Sequence, residues 1–189
     1  MSSRMLLLWS CAVPLLASTA AWPSDAPPAD PQIVVQPLRG GLHVISGAGS
    51  NVAVWHGPDG TVLVDDGVEA LTPQLLAAVE KIAPGPVRVV ISTHWHPDHT
   101  GGNEQLAGAG SVLVAHDNVR ARLSEPQTVA AYDLEVPAAP AGALPIVTFD
   151  DALSLHLNGD RLAALHVEAA HTDGDLVLWW EDANVVHAG

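Results

Sequence analysis

Cysteine is almost absent from this chain. Cys11 is the only one in 189 residues, so no intramolecular disulfide staples the fold and no thiolate cluster holds a metal. Basic residues are nearly as scarce: 7 Lys+Arg stand against 21 Asp+Glu, for a formal charge of −14. The cations are Lys81 and scattered arginines. Binding a phosphate backbone needs such cations in clusters, which excludes nucleic acid and anionic membrane surfaces as partners. No apolar run reaches the roughly 18 residues that span a bilayer, which excludes a stable membrane anchor. Apolar residues nonetheless make up 48% of the chain, too many for an acidic disordered tail. The length suits one domain, or part of one.

Arg4 precedes an apolar run, Met5 to Ala17, that closes on the small residues Ser18-Thr19-Ala20-Ala21. This is the pattern of a secretory signal peptide over residues 1–21, and it predicts an exported protein, periplasmic or secreted. Pro14 interrupts the run, and Trp9 occupies the position where lipoprotein processing wants a small residue around Cys11. The mature chain then has no cysteine, so a metal has to be held by His and carboxylate. Residues 22–32, rich in Pro, Ala and Asp, read as a flexible mature N-terminus ahead of a domain over 33–189.

Ile33–Val35, Leu42–Ile45, Asn51–Trp55 and Thr61–Val64 predict an antiparallel meander, with Pro58-Asp59-Gly60 as a turn. Thr72 as N-cap and Pro73 at the first position predict a helix that carries Leu75, Leu76, Val79 and Ile82 on one face and ends at Gly85-Pro86. Val87–Ser92 suits a strand buried on both faces. A short helix after Gly102, a strand at Ser111–Ala115 and a helix at Asp117–Leu123 follow, an α/β alternation. Residues 124–144 predict a long surface loop. Ile146–Phe149, Leu153–Leu157, Leu162–Val167, Asp175–Trp180 and Asn184–Val186 predict a second meander, with Asn158-Gly159 as a tight hairpin turn.

The chemistry concentrates in Thr93-His94-Trp95-His96-Pro97-Asp98-His99-Thr100-Gly101-Gly102. In extended backbone His94, His96 and Asp98 point to one side while Trp95 and Pro97 point to the other. His99 breaks the parity, as expected where the chain turns into a helix, and arrives as a fourth ligand from another direction. Gly101-Gly102 is expected to let that turn pass close to a bound ion. Imidazoles with a carboxylate suit Zn²⁺. A third zinc ligand has to come from elsewhere, and His171 in Ala170-His171-Thr172-Asp173-Gly174-Asp175 is the best candidate. Asp173 and Asp175 themselves read as parts of a tight turn.

His94-Trp-His96-Pro-Asp98-His99 resembles the HxHxDH signature of the metallo-β-lactamase-fold hydrolase superfamily, and His171-Thr-Asp-Gly-Asp175 resembles its second histidine motif. Val64-Asp65-Asp66-Gly67 is similar to its first motif, in which the aspartate at Asp65 braces the site. Asn184-Val-Val-His187-Ala-Gly189 is similar to the strand that runs into its bridging-ligand motif. The resemblance implies an α/β fold of the αββα four-layer sandwich type with its C-terminal portion missing, since the bridging ligand would directly follow Gly189. It implies two Zn²⁺ per complete domain, the first on His94, His96 and His171 and the second on Asp98 and His99 with two further ligands. A shared water of lowered pKa would then attack an ester, thioester or lactam bond of a small-molecule substrate, with Asp98 as the catalytic residue that orients it and handles its proton.

His187 lies three residues before the missing ligand, on the opposite strand face, and is not expected to ligate. His43, His56, His116, His156 and His166 read as structural. Three alternatives stay open: a β-lactamase of the subclass without a cysteine ligand, an iron-dependent persulfide dioxygenase of the same fold, and an inactive fragment that holds a single metal.

Overall fold

The computed structural model describes residues 32–129 and 133–189. The leader expected over 1–21, and all but Gln32 of the expected mature N-terminus, lie outside the described residues.

Alternation of side chains builds the larger sheet. Strands β1 (Val34–Pro37), β2 (Leu42–Ser46), β3 (Val52–Gly57) and β4 (Gly60–Val64) form an antiparallel meander. To it are added, in parallel, β5 (Val87–Ile91), β6 (Val112–His116) and β9 (Val147–Phe149). In β3, Val52 and Val54 face helices α1 (Thr72–Ile82) and α3 (Asn103–Gly108), whereas Ala53 and Trp55 face a second sheet. Val62 and Val64 in β4 and Ile91 in β5 face that second sheet too, while Leu63 and Val90 face the helices. Burial on both faces explains the near-continuous apolar runs, each such side chain contributing about 1.5–3 kcal/mol.

The second sheet is an antiparallel meander of β10 (Ala152–Leu157), β11 (Asp160–His166), β12 (Leu176–Trp180) and β13 (Val185–His187). Its inner face supplies Leu162, Ala164, Leu176, Leu178 and Trp180 to the core between the sheets. There Trp180 meets Trp55 edge to face, ring centroids 6.2 Å apart. The result is a layered sandwich of helices, larger sheet and smaller sheet. Among the described residues no helix covers the outer face of the smaller sheet, where Leu165, Trp179 and Val186 are exposed. No helix of the described residues is long and apolar enough to cross a membrane.

The turn chemistry is where the sequence places it. Asn158 and Gly159 both take positive φ, 52° and 79°, the two-residue turn that twisted strands favour. Asn158 also latches the two sheets together. Its Oδ1 accepts from Asp59 N–H at 2.9 Å, its own N–H donates to Asp59 Oδ2 at 2.6 Å, and its Nδ2 donates to the Gly60 carbonyl at 3.1 Å.

Three expectations are corrected. Helix α1 begins at Thr72 with Leu71 as its cap residue and no side-chain capping bond, so Thr72 is the first helical residue rather than the cap. Residues 124–144 are not a featureless loop: β7 (Gln127–Val129) pairs with β8 (Leu134–Val136), and a 3-10 turn spans Ala141–Ala143. Strand β9 does not open the second meander but joins β6 in the first sheet.

Candidate metal centre

The centre forms where β5 ends. Ser92 and Thr93 leave the sheet, and the short helix α2 (Pro97–Thr100) starts within the motif. The parity argument therefore holds only as far as His96. Asp98 reaches the site from the first helical turn, not from extended backbone, because Pro97 fixes φ where a helix begins.

Asp65 is the floor of the site. It follows β4 with φ of 62° and has no solvent exposure. Its Oδ1 accepts from Thr93 N–H at 2.7 Å, and its Oδ2 accepts from Thr93 Oγ1 at 2.9 Å and lies 2.7 Å from His99 Nδ1. Burial pushes its carboxyl up, but the imidazoles of His187 and His99 outweigh that and hold it below the ordinary carboxylate value. His187 Nε2 lies 3.5 Å from Asp65 Oδ2, so His187 closes the floor rather than turning away from it. Its three-residue strand register gave no sign of this. Asp66 accepts from Gly102 N–H at 2.8 Å, and burial pushes its carboxyl well above the usual range.

Each candidate imidazole has one nitrogen spoken for. His99 gives Nδ1 to Asp65, which leaves Nε2 facing Asp98 Oδ2 at 3.3 Å. His94 Nδ1 lies 3.0 Å from Thr93 Oγ1, which leaves its Nε2. His171 Nε2 and His96 Nδ1 face each other at 3.0 Å. One donor atom from each of His94, His96 and His171 lies within 4.8 Å of the others, and this triad is the group of three such residues found together among the described residues. Burial and the His99 charge lower His94 to about 4, and burial and His171 lower His96, so both stay neutral and ligand-competent at pH 7. Burial lowers the His99 pKa, but Asp65 and Asp98 overcome this and lift it to about 9. Asp98 is held ionised by His99 against the opposing effect of burial.

His171 comes from the smaller sheet, on the loop ahead of β12. Asp175 accepts from His171 N–H at 2.6 Å and from Thr172 N–H at 3.0 Å, which folds the loop on itself. Asp173 turns outward to Arg122, while Asp175 both shapes the turn and lines the cavity beside His94 and His171.

Gly101 and Gly102 serve a different purpose from the one expected. A Cβ on Gly101 would sit 2.3 Å from Glu69 N, and one on Gly102 would sit 3.0 Å from the Asp66 carboxyl carbon. The glycines let α2 press on the 66–69 backbone, away from the ligands. Four of the remaining histidines pair with one another, while His156 is exposed on β10. His43 stacks on His56, His116 stacks on His166, and His116 Nδ1 accepts from Asn118 N–H at the start of α4 (Asp117–Leu123).

A cavity of about 240 Å³ opens on His94 and His171, lined also by Val167, Ala170, Asp175 and Gly189. A larger one of about 590 Å³ lies behind the motif, against Trp95, Pro97 and Leu123, and touches none of the candidate ligands. Imidazoles with ionised Asp98 beside them are a borderline-soft N/O donor set that fits Zn²⁺.

Comparison with known proteins shows the family of the chain. Residues 46–189 match the profile of the metallo-beta-lactamase superfamily. Human metallo-beta-lactamase domain-containing protein 1 is 38% identical over 71 residues, 36% of this chain and 26% of that protein. A linear primary-alkylsulfatase from Pseudomonas sp. is 27% identical over 163 residues, 68% of this chain and 31% of that protein. Among solved structures, MEM-A1, a subclass B3 metallo-beta-lactamase from a soil metagenome library, superposes with a TM-score of 0.65 at 21% identity, over 84% of this chain and 62% of that one. A Cronobacter sakazakii metallo-beta-lactamase with a HARLDQ motif gives 0.63 at 21% identity, over 76% of this chain and 57% of that one. The chain thus spans about a third or less of these curated relatives and under two thirds of these structures.

Proposed function

The chain belongs to the metallo-β-lactamase superfamily, and from that premise we propose that it is an exported zinc-dependent hydrolase that cleaves an ester, thioester or lactam bond in a small molecule. The observation that carries the reading is the convergence of His94 and His96, from the larger sheet, with His171, from the smaller one, beside the Asp98–His99 pair. His94, His96 and His171 would hold the first zinc, and Asp98 and His99 would contribute to the second. Zinc bound there supplies Lewis acidity and brings the pKa of water toward neutrality.

The chain's own groups do the rest. Asp98, half exposed and ionised, orients the attacking water and takes its proton on the carboxylate, whose Oδ2 faces His99. Asp65 fixes the His99 ring so that only Nε2 faces the site. Thr93 does the same for His94 through Oγ1. Val167 and Ala170 offer an apolar wall to a substrate in the 240 Å³ cavity.

The test is to express the chain, strip it with chelator, reload it with zinc and follow hydrolysis of a chromogenic cephalosporin, a nitrophenyl ester, a thioester and an alkyl sulfate. Zinc-dependent turnover of any one substrate, lost on chelation, is expected. The alkyl sulfate arm follows from the sulfatase relative. Iron in protein purified without added metal, together with oxygen uptake, would replace the reading with the dioxygenase one.

A further inference from the structure

The His171 loop is stiff within itself, because Asp175 bonds to His171 and Thr172 and the Val167 N–H donates to the Asp175 carbonyl at 2.9 Å. Those bonds do not fix where the loop sits relative to His94 and His96, which belong to the other sheet. Contacts that cross between the two ligand sources do. Leu176 N–H donates to the Thr93 carbonyl at 2.9 Å. The others come from α4. Asn118 Nδ2 donates to the Asp173 carbonyl at 2.6 Å, and Arg122 grips the Asp173 carboxylate through Nε and Nη2, the latter at 2.8 Å. Gly174 lies so close to the helix that an added Cβ would stand 2.9 Å from Val119 Cγ2 and 3.1 Å from Val119 N.

The same helix holds the other half of the triad. Val119 and Leu123 pack with Trp95, whose ring centroid is 4.4 Å from that of His96. Helix α4 therefore touches the loop that carries His171 and the residue between His94 and His96.

We propose that α4 is the positioning element of the centre: Asn118, Val119 and Arg122 form a seat on which Asp173 and Gly174 rest, and the seat sets the distance of His171 from His94 and His96. These are positioning residues that act through His171, and the inference rests on reading His171 as a zinc ligand.

The test measures zinc affinity of the full chain by competition with a chromophoric chelator, alongside the visible spectrum of the Co²⁺ form and the melting temperature of the metal-free chain. Gly174→Ala, which must lift the loop off Val119, is expected to weaken the tighter zinc by about tenfold or more and to alter the Co²⁺ d–d bands. Arg122→Ala and Asp173→Ala are each expected to weaken it by roughly threefold to tenfold, with Arg122→Lys recovering part of the loss. The double variant Arg122→Ala/Asp173→Ala should bind no more weakly than Asp173→Ala alone, because both remove one contact. Arg122 is exposed, so its variants fold even where Gly174→Ala does not.

Zinc affinity within twofold of the parent in Arg122→Ala, with an unchanged Co²⁺ spectrum, overturns the seat while His171→Ala still abolishes tight binding. Losses that track a fall in metal-free melting temperature overturn it as well, because they mark a merely structural contact. If His171→Ala itself binds zinc like the parent, the ligand reading fails and the seat fails with it.

Discussion

The Nδ1 of His99 lies 2.7 Å from the Oδ2 of Asp65, a carboxylate that no water reaches. A buried charge is tolerable only when it is paired and fully bonded, and Thr93 supplies the remaining bonds. One carboxylate therefore sets the ring of a candidate ligand and the start of the loop that carries two others.

Asp65→Asn puts an amide N–H where His99 needs an acceptor. The variant is expected to lose the weaker of two zinc ions, with affinity falling by roughly 10–100-fold, while the tighter one stays. Metal-free stability should drop by about 3 kcal/mol, as when one partner of a buried pair is removed. Zinc titration and urea unfolding check both; two zinc ions held at parental affinity would contradict the role given to Asp65.

The metal-free chain should be most stable near pH 6.5. The His99 value is raised to about 9, so its stabilisation is complete below 6.5 and is lost as pH rises through 9. His94 works in the other direction. It resists protonation down to about 4, so between 6.5 and 4 the unfolded chain takes up a proton that the folded form refuses, and stability falls. The lowered value of Asp65 adds stability above 3.8 that is lost in acid, while the raised value of Asp66 opposes it, its contribution falling as pH climbs above 3.8. Urea midpoints of chelator-treated protein across this range should trace a dome; a flat line would refute the assignment.

Asp98→Asn and His171→Ala should fail in different ways. Asp98→Asn keeps the triad and its tight zinc, yet loses hydrolytic rate by about 10²-fold or more, since an amide takes no proton. His171→Ala should lose the tight zinc itself. Metal content and turnover, measured on the same samples, separate the two.

Trp55→Ala opens a void against Trp180 in the core between the sheets. The expected cost is about 3–5 kcal/mol in chemical unfolding, a large share of the stability of a typical domain.

Much of this fold is legible in the sequence. Strands β3, β4 and β5 read plainly because burial on two faces leaves an apolar run with sharp ends, and Asn158-Gly159 because few residue pairs tolerate positive φ twice. The histidine motif marks the candidate site because ligand chemistry permits few residue types. What stayed hidden is what short elements hide. The three residues of β9 carry no mark of which sheet they join, and β7 and β8 are too short and too exposed to show alternation. The approach of His187 to Asp65 depends on the register of β13 against β12, and the role of Gly101 depends on backbone more than thirty residues away in sequence. Neither leaves a local trace.

The Asn158 latch ties the sheets at one end of the sandwich, and the Leu176–Thr93 bond ties them at the other, beneath the triad. The spacing of the sheets is thus fixed by the polypeptide before any ion arrives. A metal ion bound at a site so preset would add stability by mass action, about 1.4 kcal/mol for each tenfold rise of free metal above its dissociation constant.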